Sequence, residues 1–248
     1  MIFFRYNSDP NFYDLSMEIF MSESNGISAE LSGESRQELA TKLTNYQNKL
    51  KTLAEDTSDI ERALLQLDIS ELYLALDLKE EAWNEARATF DVFVKNEEWQ
   101  RAVEACNVMY QTEQPASIVA LGHGVWLAVT YPIEADTSIA VLNHIVDETP
   151  ATSDGAAVAA MTGYYIADIR STDENHESMT FLAKTILGNV AQRHSNVKTQ
   201  KEMDMWLAKL ELNDPQVFLP RLSLVVNSIV EDNWWFDRDE LRSRLPVN

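Results

Sequence analysis

The span LYLALDLKEEAWNEARATFDVFVKNEEWQRAVEACNVMY does most to limit what this chain can become. Apolar residues recur along it at helical spacing, and the interruptions are only a few residues long. Helices joined so tightly must lie antiparallel to their neighbours. Similar punctuation continues on both sides, so the chain reads as all-α, an array of eight to ten helices stacked as antiparallel hairpins, with no sheet. With 248 residues, 45% of them hydrophobic, it can bury a substantial core.

Residues 1–34 form an irregular, aromatic-rich segment, and so many rings predict packing against the body or another chain. Ser35-Arg-Gln-Glu38 has the form of a capping box, in which hydroxyl and carboxylate satisfy free amides at a helix start. Leu39, Leu43, Tyr46, Leu50 and Leu53 follow as one apolar stripe. Ser58-Asp-Ile-Glu61 opens a helix that is apolar nearly all round and therefore needs cover on several sides. The next two helices begin near Lys79 and Glu97. They bury Trp83, Ala86, Phe90 and Phe93 in one and Trp99, Ala102, Cys106 and Met109 in the other. Beyond Pro115, IVALGHGVWLAVTY reads as one helix despite Gly122 and Gly124, and Asp136 is placed to cap the next. Ser153 or Asp154 opens DGAAVAAMTGYYIADIR, where Gly155, Ala159 and Gly163 leave one face without bulk. Asp214-Pro215 is a strong start signal, and Asp237 with Glu240 frames a last short helix.

LALDLKEEAWNEA resembles the turn and second helix of a tetratricopeptide repeat, with Ala82 and Ala86 at the positions where small residues allow close helix contact. KNEEWQRAVEAC resembles the same element, with Ala102 in the matching place. The resemblance covers residues 60–114 and implies helical-repeat packing, with no catalytic residues. Two departures stand out: Asp77 occupies the family's glycine position, and the segments lie 20 residues apart rather than about 34. Residues 35–114 then form repeat-like hairpins, and 115–248 a C-terminal helical region, separate or continuous with them.

Charge narrows the possible functions. The 40 acidic and 20 basic residues leave a net −20, which repels nucleic-acid backbones and anionic lipid. The charge is uneven: between Pro132 and Ser178, Arg170 alone opposes Glu134, Asp136, Asp147, Glu148, Asp154, Asp168, Asp173, Glu174 and Glu177. Such a face keeps a protein soluble or docks a basic partner. One cysteine, Cys106, rules out an internal disulfide and suits the cytoplasm. No stretch reads as a membrane span.

Chemistry-bearing motifs are sparse. His123, His144, His176 and His194 fall in no paired metal-ligand spacing, and nucleotide-binding glycine loops and nucleophile elbows are absent. No cofactor is implied. His144, with Asp147 and Glu148 one turn on, is the best catalytic or ligand-binding alternative, with Tyr165 and Asp168 as conceivable companions. Trp234, Trp235 and Phe236 cannot all enter one core, so they mark a groove, a seam or a covered end of the stack. The leading expectation is a non-enzymatic adaptor or assembly factor that binds a protein partner through the helical-repeat groove, through an acidic face with Asp147, Glu148 and Asp168, or through the aromatic triplet. Alternatives are a helical-bundle enzyme built on His144 and an acidic nucleic-acid mimic that occupies a basic protein.

Overall fold

A computed structural model describes residues 33–245, and every regular element within them is helical. The aromatic-rich residues 1–32, and the expectation that they pack, lie outside the described residues. Eight helices form the array: α1 Gly33–Lys51, α2 Asp59–Ala75, α3 Lys79–Lys95, α4 Trp99–Gln111, α5 Ser117–Thr130, α6 Ala135–Glu148, α7 Asp154–Arg170 and α8 His176–Ser195. Three more follow, α9 Gln200–Lys209, α10 Pro215–Val230 and the short α11 Arg238–Ser243. The described residues thus hold eleven helices where eight to ten were expected.

Consecutive members of the array pack antiparallel. The helices α2, α4, α6 and α8 begin at 59, 99, 135 and 176, and α3, α5 and α7 at 79, 117 and 154. Hairpins therefore repeat every 36 to 41 residues. The 20-residue spacing of the two similar segments separates the partners within a hairpin.

Those segments look alike because each starts with the same turn. Asp77 and Glu97 hold φ of 61° and 60°, and the next amide donates back to the helix, Leu78 to Tyr73 and Glu98 to Phe93, both at 2.9 Å. This closure favours a left-handed residue after the helix, normally glycine. Glu211, with φ 55°, forms it again through Leu212 and Leu207. The array thus places acids where a side chain costs about 1–2 kcal/mol.

The stripe on α1 packs as read, with Leu43 and its neighbours against Leu65, Ile69, Leu72 and Leu76. A second core runs without a break from Ala63 to Leu241, across position 115. Ser58 accepts from the Glu61 amide, Ser153 from Gly155, and Asp214 caps α10 ahead of Pro215. Three local readings change. Helix α1 begins at Gly33, two residues ahead of the Ser35 box. Asp136 does not cap α6: the extended backbone of Glu134 puts that residue at the N-cap, and Asp136 accepts from Thr137 instead. Asp237 does cap α11, but the Glu240 carboxylate pairs with Arg244.

The helices fall into two layers. On one side α2, α4, α6 and α8 touch in succession. On the other, α3, α5 and α7 stand further apart, and the C-terminal part of the chain fills between them. α10 lies against α5 and α7. Gly122 permits this crossing, since a Cβ there would sit 2.3 Å from Val230 Cγ2, and one at Gly124 would sit 2.9 Å from Cys106 Cβ on α4. A Cβ on Gly163 would meet only Leu142, at an ordinary 3.9 Å. The close approaches therefore belong to the glycines flanking His123, and Gly163 in the small-residue stripe on α7 is not one of them.

Helix C-termini are closed by arginines from other elements. Arg36 of α1 donates to Leu76 O at the end of α2. Arg170 of α7 reaches Ala128 O at 2.6 Å, Val129 O at 3.2 Å and Ile133 O at 3.4 Å, at the end of α5. Arg193 of α8 caps α6 through Val146 O, and Arg221 of α10 caps α9 through Leu210 O. Each places a cation where the helix dipole is negative.

Candidate interaction surfaces

Residues 232–237, between α10 and α11, wedge between α3 and α5. The key partner is His123, fully buried on α5. Its Nδ1 lies 2.6 Å from Val119 O, and a carbonyl can only accept, so Nδ1 carries the proton. Nε2 is left as an acceptor and takes the Trp235 backbone N–H at 3.0 Å. Burial pushes the imidazole down to about 4, against the Val119 bond and aided by the Arg87 and Arg238 charges. His123 is therefore a neutral latch at ordinary pH.

Rings complete the wedge. Trp235 stacks on His123 at 4.3 Å and meets Phe90 and Trp83 edge-on at 5.4 and 6.3 Å. Phe236 packs against Phe90 and Trp126, and Trp234 against His123 and Trp126. Arg87 lies over Trp235 at 4.4 Å and Arg238 over Trp234 at 3.9 Å. Trp126 continues the cluster through Tyr131 to Trp99. The triplet singled out in the sequence thus sits in a lateral cleft. His123, its main anchor, was missed: its partner lies 112 residues away, and the flanking glycines were the only local signal.

On the opposite layer, side chains bridge α4 and α6. Gln100 donates to Thr137 at 2.9 Å, His144 Nε2 meets Asn107 Oδ1 at 2.9 Å, and Tyr110 donates to Glu148 at 2.7 Å. Burial, followed by the Glu148 bond and charge, raises the Tyr110 hydroxyl, and burial lowers His144. The Glu148 carboxylate therefore serves the tyrosine, while His144 lies against the Tyr110 ring at 4.4 Å. The imagined His144, Tyr165 and Asp168 constellation does not assemble. Tyr165 packs on Phe218, and Asp168 pairs with His176 at 3.3 Å.

The central acids divide between two ends of the α6–α8 group. Asp147, Glu148 and Asp154 share one end with Arg193, His194 and Arg221, and Asp154 pairs with both His194 and Arg221. Glu134, Asp136, Asp168, Asp173, Glu174 and Glu177 share the other. There the Arg170 guanidinium is turned inward onto carbonyls, and no ion pair forms at Asp136, Asp173, Glu174 or Glu177 among the described residues. Asp147 and Asp168 are separated by most of the length of α7, roughly 20 Å at helical rise. The acidic residues expected to form one docking face therefore lie at two ends, Asp147 with Glu148 at one and Asp168 at the other, and the aromatic triplet, the alternative surface, lies apart from both.

The remaining candidates serve packing. His194 is held by Asp154 and by the Trp206 indole N–H at 3.2 Å, a clasp across α7, α8 and α9. Cys106 is buried, which raises its thiol and suppresses thiolate. The crevice beside Ala159 and Gly163 holds about 10 Å³, room for a single water and no flat ligand. Among the described residues no group of side chains is arranged to bind a metal, and no helix is long and apolar enough to cross a membrane. No family model matches the chain, and neither a curated protein nor a solved structure shows significant similarity to it.

Proposed function

We propose that this chain is a non-catalytic scaffold that docks a protein partner bearing a basic surface, with the end of the array around Asp136, Asp168, Asp173, Glu174 and Glu177 as the contact. The observation that carries this reading is the inward turn of Arg170. Its guanidinium donates to three carbonyls of the α5 end and its following turn and forms no ion pair among the described residues, so the carboxylates around it are left without a paired cation from this side chain. A cationic partner is drawn to their field over a Debye length of about 8–10 Å and is released by salt.

The test is affinity capture from native cells at low salt, with the wild-type chain beside two charge-reversed forms. One carries Asp136→Lys and Glu177→Lys, the other Asp147→Lys and Glu148→Lys. A stoichiometric partner is expected on the wild type and on the second form, lost from the first and eluted by salt. Equal retention by all three, insensitive to salt, would overturn the reading. Metal or small-molecule content in a partner-free sample would instead redirect attention to His144.

A further inference from the structure

We infer that residues 232–237 are a removable wedge, and that the α3–α5 cleft beneath it is a peptide site for a partner segment presenting tandem aromatic side chains. This cleft and the acidic end are separate surfaces, so either assignment can fail alone.

Four observations carry the inference. First, the walls of the cleft share a support other than the wedge. α3 and α5 both pack on α4, which sets their separation from below, and the wedge itself contributes no regular helix. Second, the joint is strained. Glu231, where the chain leaves α10, holds φ 51° and ψ −123°, a region essentially reserved for glycine. Third, the fit is incomplete, because Trp234 Nε1 is buried without a hydrogen-bond partner among the described residues. Fourth, the body supplies most of what recognises the wedge: the imidazole acceptor on His123, the edges of Phe90 and Trp83, and the Arg87 guanidinium over the indole. An indole with a free backbone N–H beside it satisfies all of these at once, whether it belongs to this chain or to another. The wedge is then an internal competitor that holds the site closed until a partner segment replaces it.

The probe is a fluorescein-labelled peptide of residues 232–241, DNWWFDRDEL, titrated into full-length protein. Wild type should bind it at least tenfold more weakly than a Trp235→Ala form, whose own wedge has lost its central ring. Adding Arg87→Ala to that form should weaken binding again, at least fivefold. A Trp235→Ala protein with wild-type helical circular dichroism and monomeric mass that binds no better than wild type overturns the inference. So does a dimer mass by light scattering, which would mean that two copies exchange wedges. Should Trp235→Ala not fold, amide exchange of the wild type decides. The Trp235 amide should exchange through an opening that leaves Val125 and Leu127 protected, whereas exchange of all three only with global unfolding overturns the wedge.

Discussion

Replacing His123 with glutamine tests the latch directly. The amide oxygen of the introduced glutamine lies near the position of Nε2 and can still accept from Trp235, but it does not titrate. In the wild type the imidazole moves from 6.5 in the unfolded chain to about 4 in the folded one. Between those values the unfolded chain binds more protons, so stability falls as pH falls. It is fully present above pH 6.5 and stops falling below about pH 4. Each pH unit of the shift corresponds to about 1.4 kcal/mol, which makes the full loss roughly 3 kcal/mol and the part between pH 7 and pH 5 about 2 kcal/mol. Asp68, Glu71 and Asp147 are raised by burial and titrate in the opposite sense, and lowered His144 in the same sense, in both proteins. The informative quantity is therefore the difference between wild type and H123Q in urea unfolding free energy, followed by tryptophan fluorescence. Five of the six tryptophans belong to the wedge cluster or its extension, which makes the signal local. The wild-type advantage should shrink by about 2 kcal/mol from pH 7 to pH 5. Curves that stay parallel over that range would refute a neutral buried imidazole at this position.

Other substitutions probe the frame. Glu211→Gly should stabilise by about 1 kcal/mol, seen as a rise of about 2–4 °C in Tm, and should exceed Glu211→Ala, which keeps the left-handed strain. Gly122→Ala should cost about 1–3 kcal/mol in chemical denaturation by forcing Val230 away, whereas Gly163→Ala should gain about 0.8–1.0 kcal/mol from helix propensity. Arg170→Ala should cost about 1.5–3 kcal/mol, and Arg170→Lys should restore only part of it, because an ammonium lacks the planar fork that reaches several carbonyls.

Local physics made much of the fold legible. The caps at Ser58, Ser153 and Asp214 and the stripe from Leu39 to Leu53 each depend on residues within a turn or two of one another. Errors arose where backbone geometry chose between equivalent side chains: Asp136 and Glu134 are both acids near a helix start, and only the extended conformation at Glu134 decides between them. Asp77 was seen to replace glycine, yet sequence alone could not show that the turn keeps its left-handed form regardless. The sites were less legible because their partners are remote. Gln100 with Thr137, Asn107 with His144 and Trp235 with His123 join residues from different hairpins. Gly122 and Gly124 read only as interruptions that the helix tolerates, whereas the space they save admits Val230 and Cys106.

Those remote links bear on how the array comes apart. A simple solenoid couples each unit only to its neighbours, so end units can fray one at a time. Here Arg170 ties α7 to α5, Arg193 ties α8 to α6, and α10 bridges α5 and α7. Excising one hairpin would leave a guanidinium of the next without its carbonyls, and melting one would loosen its neighbour as well. The helices joined by these ties, α5 to α8 with α10, should lose structure in a single concerted step, and hairpins within that span are neither modular nor exchangeable.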